Sequence, residues 1–341
     1  MKWHWGNIPK CMFLCITIMG SLYVQIHKLE AKSMCSRIVF SAYTDPEDAK
    51  SSHIFIVNPD GSGLRDLSQD ITDEILPTWS ADGKQILFAK ATGETFTVRN
   101  LSMKIPGYSL FRMAANGTGL KAITPVALLI PSFYDGDRLS WSADGKTILF
   151  QSHQPTLTGS GEEIMFVIRE PFQKPEQLTG ENFTFWPTFL PDGRHFGYVW
   201  QNSLGPHEFS NLYVSDLDGK VRTRITDFKD KYAQYPAWSP DGKRIAFSLA
   251  SQIDVLGDAD PGDNDIYIMN ADGTGLTALT NDRALNISPS WSPDGKQIAY
   301  TSHKDGLPHI VVMNANGSDK HIIVDHQVGE LRPSWSPLLS C

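Results

Sequence analysis

The sequence predicts an all-β fold, a six-bladed β-propeller of four-stranded antiparallel blades whose ring is closed by one blade shared between N- and C-terminal strands. Three observations predict it: a phrase that recurs along the chain, a second phrase that follows each copy, and chain ends that complement one another. The first phrase runs Trp-Ser-Ala-Asp-Gly-Lys-Gln-Ile-Leu-Phe from Trp79 to Phe88 and returns from Trp141, Trp238 and Trp291. A degenerate copy starts at Phe189, and Trp335-Ser336-Pro337 begins another. Successive copies lie 44 to 62 residues apart, which suits a four-stranded unit with loops of variable length.

Each unit reads in the same order. The Trp-Ser segment is a first strand, and Asp-Gly supplies the positive φ angles of a two-residue hairpin turn. Ile-Ala-Phe or Ile-Leu-Phe is a second strand, rich in residues that favour a pleated sheet. After a loop comes the second phrase, clearest as Asp265-Ile-Tyr-Ile-Met-Asn-Ala-Asp-Gly-Thr274, which gives a third strand, another tight turn and a fourth strand. It recurs over 54–68, 110–124, 211–226 and 309–323, and in 164–179 it lacks Asp-Gly. Four antiparallel strands make one propeller blade. The tryptophan, fixed at one strand position in nearly every unit, is expected to pack between blades. Arg37-Ile-Val-Phe-Ser41 matches the second-strand phrase Arg244-Ile-Ala-Phe-Ser248, whereas the chain finishes on first-strand residues 332–337. One blade therefore takes its inner strand from the C-terminus and its other three from the N-terminus, which removes the open sheet edge.

These phrases resemble the TolB-like repeat, also described as WD40-like or PD40, over roughly residues 36 to 337. The resemblance implies the propeller fold far more sharply than any activity. The propeller is expected over residues 36–341, with no α/β domain before it.

Composition bounds the rest. The chain has 341 residues, is 41% hydrophobic and 20% charged, and carries a net charge of -8, as a folded globular protein does. No Lys/Arg cluster exists for phosphate contacts, so a nucleic-acid partner is not expected. Residues 1–31 differ: Lys2 and Lys10 precede an almost wholly apolar run from Cys11 to Ile26. This is the pattern of a signal peptide cleaved near Ala31, or else of an uncleaved N-terminal membrane anchor, and either places the protein outside the cytoplasm, periplasmic or secreted. Cys11 and Cys15 lie in that run. Aligned on the repeat, Cys35 and Cys341 fall in the same turn, where they would form a disulfide in an oxidising compartment or remain free thiols at the ends.

Strand alternation places the remaining loops on one face of the propeller, and insertions gather there. Residues 125–139 include Phe133 and Tyr134, which either cap the propeller or dock a partner. The same face is acid-rich, with Asp45, Glu47, Asp48, Asp70, Asp73, Glu74, Glu162 and Glu163. The densest group is Asp254, Asp258, Asp260, Asp263 and Asp265. Its oxygens on a Gly-containing loop would suit Ca²⁺, a cationic partner surface, or simple solvation. No other cofactor is expected. The leading expectation is a non-enzymatic, monomeric scaffold binding a protein or peptide on this face. The alternative is a propeller lyase or hydrolase acting on a saccharide, with a metal and histidines such as His53, His153, His207, His303 and His309 at the central channel. No catalytic residue is singled out: G-x-S-x-G is absent, and Gly145-Lys146-Thr147 is a repeat turn without the upstream glycine of a phosphate loop.

Overall fold

A computed structural model describes residues 34–44, 51–98, 103–124, 138–155, 161–178, 184–202, 209–251, 264–325 and 332–340. The chain divides into two units, Met1–Cys35 with Ser340–Cys341, and Ser36–Leu339. In the first, Cys35 is disulfide-bonded; Cys341, its expected partner, lies outside the described residues, as does the segment 1–31. No helix among the described residues is long and apolar enough to cross a membrane.

The second unit is an all-β propeller of antiparallel four-stranded blades. Glu74–Trp79, Gln85–Val98, Met103–Ala114 and Lys121–Ala122 form one blade in chain order, and Leu285–Trp291 to His321–Asp325 form another in the same way. Against the expectation of six separate blades, four sheets among the described residues have four strands and one has eight. The joint in the eight-stranded sheet is a single parallel bridge, Ser210 to Tyr232, reinforced by the Ser210 hydroxyl donating to the Ala233 carbonyl at 2.7 Å. Third strand of one unit and first strand of the next are thereby laced together. The N-terminal strand Ile38–Tyr43 pairs on one side with Ser52–Val57. On its other side it pairs with Ser334–Trp335, in the register Ile38 to Trp335 and Val39 to Ser334.

Burial explains the strand alphabet. Second strands lie between neighbouring sheets, so Ile86, Leu87, Phe88 and Ala89 are all fully buried, as are Ile245, Ala246 and Phe247. A strand covered on both faces must be continuously apolar. The third strands Ser52–Val57 and Asn264–Asn270 largely alternate, and the two-residue fourth strands Arg65–Asp66, Lys121–Ala122 and Thr277–Ala278 are exposed. The apolar clusters sit at the seams between sheets. Val39, Ile54 and Ile56 meet Trp79, Ile86 and Phe88, while Ile38 and Phe40 meet Ala299, Val312 and Trp335.

The repeated tryptophans hold these seams. Trp291 Nε1 donates to the Ala237 carbonyl at 3.0 Å, Trp79 Nε1 to the Ser334 carbonyl at 3.1 Å, and Trp335 Nε1 to Ser36 Oγ at 2.8 Å. Trp238 instead lies so close over Gly197 that a Cβ there would stand 2.0 Å from the ring.

The Asp-Gly turns are longer than the two-residue hairpins the dipeptide suggested. The Ser80 amide pairs with the Gln85 carbonyl, and only Gly83 takes a positive φ, +66°. Ser80 Oγ donates to Asp82 Oδ1 and accepts the Gln85 amide, while Asp82 Oδ1 also accepts the Lys84 amide. The same three bonds recur at Ser142, Ser239 and Ser292. The serine hydroxyl bonds hold the Asp82, Asp144 and Asp241 carboxyls below the usual carboxylate range.

Candidate functional site

Three residues before the repeated aromatic, the first strand departs from regular pairing. Leu76, Trp186, Tyr235 and Ser288 have φ of 60°, 54°, 51° and 55°, each immediately before a proline, and the register slips at each place. Such bulges re-aim a side chain, and non-glycine residues at positive φ carry strain that gathers at binding surfaces. The frame around them is constant: Leu76-Pro-Thr-Trp, Trp186-Pro-Thr-Phe, Tyr235-Pro-Ala-Trp, Ser288-Pro-Ser-Trp and Arg332-Pro-Ser-Trp. Arg138-Leu-Ser-Trp is the variant lacking proline. The residue that precedes the proline is the one that changes.

Five of these variable residues, Leu76, Arg138, Tyr235, Ser288 and Arg332, converge on one cavity of about 50 Å³. Leu139, Pro77 and Pro333 give it apolar walls. Arg138 Nη1 donates to the Pro236 carbonyl at 2.7 Å. Burial brings the Arg138 guanidinium down from its usual range to about 10, so it stays cationic at neutral pH. No carboxylate pairs with it among the described residues. Ser288 is 7% exposed, and its Oγ has no hydrogen-bond partner among the described residues. On the far side Trp186 packs against Tyr235 with ring centroids 4.7 Å apart.

The sequence did not single out this ring. Its signal was available in the constant proline and aromatic bracketing a residue that changes from copy to copy.

Three of the acidic residues expected on the loop face are engaged within the fold. Lys90 Nζ donates to Asp70 Oδ1 at 2.8 Å and to Glu74 Oε1 at 2.6 Å, and Ser68 Oγ donates to Glu74 Oε2. Asp73 accepts the Ser52 amide and the Tyr108 hydroxyl. These three carboxylates are therefore committed within the fold, with Glu74 almost wholly buried. Asp265 accepts the Thr280 hydroxyl at 2.6 Å. Asp254, Asp258, Asp260, Asp263, Phe133 and Tyr134 lie outside the described residues, as do Asp45, Glu47 and Asp48.

Of the histidines, His53 faces Asp66 at 2.8 Å and His309 faces Asp325 at 3.1 Å. His207 lies outside the described residues. Among those that are described, no group of three His, Cys, Asp or Glu could hold a metal.

Comparison with known proteins agrees with the strand geometry. Residues 172–339 match the TolB beta propeller domain family, PD40. The chain is 32% identical over 131 residues to the Tol-Pal system protein TolB of Alcanivorax borkumensis, covering 38% of this chain and 26% of that protein. It is 35% identical over 127 residues to the Tol-Pal system protein TolB of Francisella tularensis subsp. holarctica, covering 31% and 27% respectively. The matched region thus spans only about a quarter of the length of these relatives. The crystal structure of TolB from Acinetobacter baumannii superposes with a TM-score of 0.67 at 18% identity, over 97% of this chain and 74% of that one. Residues 172–339 therefore carry the TolB-type propeller repeat, and the superposition extends the propeller fold over nearly the whole chain.

Proposed function

We propose that this chain is an extracytoplasmic, non-enzymatic propeller that binds a protein partner through the loops at one end of its blades. The observation that carries this reading is the match to proteins named for the Tol-Pal system, in a chain whose first 31 residues have the pattern of an export signal or anchor. In this reading the eight-stranded sheet counts as two blades, giving six, and the pairing of Ile38–Tyr43 with Ser334–Trp335 closes the ring. A closed, packed ring is a rigid carrier, and rigid carriers leave recognition to their loops. The partner surface comprises Phe133 and Tyr134 together with the acidic loop from Asp254 to Asp265.

The test is affinity capture from a bacterial envelope extract with the full chain, beside a variant carrying Asp258, Asp260, Asp263 and Asp265 each changed to Ala. Retention of a Tol or Pal component by the first and its loss by the second is the expected result. Equal capture by both overturns the acidic loop as the docking surface. Recovery of the expressed chain in the cytoplasm, with no envelope protein captured, overturns the reading as a whole.

A further inference from the structure

We propose that the cavity ringed by Leu76, Arg138, Tyr235, Ser288 and Arg332 is a binding site for one carboxylate group. This goes beyond the loop-borne partner surface and does not depend on it.

Three features of the cavity point to this ligand. Two guanidinium side chains, those of Arg138 and Arg332, line it, and no acidic side chain does among the described residues. Arg138 uses one donor on the Pro236 carbonyl and meets no carboxylate among the described residues. A guanidinium has five N–H donors in a planar fork that matches a carboxylate. A cation held away from water without a counter-charge is destabilising, and an incoming anion relieves that penalty.

The second feature is Ser288. It is 7% exposed, lines the cavity, and its hydroxyl finds no partner among the described residues. Buried hydroxyls are ordinarily hydrogen-bonded, so one left unmatched in a cavity wall marks a place for a ligand atom. A backbone at φ of 55° holds it there. Serine is a donor that an anion accepts, and it supplies the bond a lone guanidinium cannot.

The third is size. At about 15 Å³ of such volume per water, a cavity of about 50 Å³ admits roughly three water-sized groups. A planar carboxylate fits this space. A sugar ring does not, since pockets for such ligands run to roughly 300 Å³ and above. The walls of Leu76, Pro77, Leu139 and Pro333 exclude competing water on the apolar side and so strengthen the charge pairing.

The experiment uses the full chain with ¹³C-labelled acetate as probe, read by line broadening, and thermal unfolding in sodium acetate against sodium chloride at equal ionic strength. Saturable broadening is expected, with a midpoint rise of about 2 °C at saturation. Arg138→Gln is expected to weaken acetate binding by about tenfold or more, and Ser288→Ala by about fivefold. Because Arg138→Gln also removes the bond to Pro236, Ser288→Ala and Arg138→Lys serve as variants that keep the packing or the charge. Stabilisation by acetate that is unchanged in Ser288→Ala and Arg138→Lys overturns the site. So does an absence of saturable broadening in the unmodified chain. Sulfate stabilising at concentrations where acetate does nothing overturns the choice of a carboxylate. Loss of acetate binding with partner capture intact supports a cavity that works apart from the loop surface.

Discussion

The Lys90 ammonium is 9% exposed and lies between Asp70 and the nearly inaccessible Glu74. Removing the ammonium strands the Glu74 carboxylate away from water, so Lys90→Met is expected to cost about 3–5 kcal/mol in urea unfolding at neutral pH. The hydrogen bond from Lys90 also holds Asp70 at about 2, against 3.8 ordinarily. A carboxyl whose folded value lies below its unfolded one adds stability above about pH 4 and loses it as pH falls towards 2. That acid limb should flatten in Lys90→Met. In the sequence, Asp70, Asp73 and Glu74 read as loop charges because nothing in the linear order brings Lys90 or Tyr108 beside them; cross-strand pairing does. The same blindness hid Arg138 and Ser288, whose meaning comes from side chains contributed by other repeats.

At the scale of the turn and the strand, the third-to-fourth-strand glycine acts at a seam as well as in its own hairpin. Gly273 has a φ of +87°, and a Cβ there would lie 2.4 Å from the Ile225 carbonyl oxygen of the preceding repeat. Gly119 has a φ of +70° with nothing within 4 Å. Gly273→Ala is therefore expected to cost about 2–4 kcal/mol, backbone strain plus overpacking, and Gly119→Ala only the strain of about 1–2 kcal/mol, both read from denaturation midpoints. The Asp-Gly dipeptide signals that a turn is present. It does not tell its length, because the serine two residues before the aspartate closes the turn with side-chain bonds that the dipeptide alone does not specify.

For the whole molecule, repetition made the fold legible: each copy of the phrase restates the same demands of turn, burial and seam. Repetition equally concealed the cavity, since residues that differ from copy to copy are the ones a repeat search discards. The pairing of distant ends was also legible, because a second-strand phrase without its first strand needs one from elsewhere. Trp335 anchors that pairing with a hydrogen bond to Ser36, a backbone pairing with Ile38 and a place in the apolar cluster of Phe40 and Val312. Trp335→Ala is expected to cost about 3–5 kcal/mol and to speed amide hydrogen exchange over 38–43 before the rest of the sheet is affected. Exchange over 38–43 that matches the unmodified chain would show that the strand is held without its C-terminal neighbour.

The 299 residues separating Ser36 from Trp335 also set a clock. Translation at about 5–20 residues per second leaves the strand Ile38–Tyr43 waiting on the order of 15–60 s for its inner neighbour. During that interval a strand of buried residues has one unpaired side, the condition in which chains exchange strands or are seized by chaperones. A ribosome stalled short of residue 334 therefore holds a protein in which the strand Ile38–Tyr43 still lacks this neighbour.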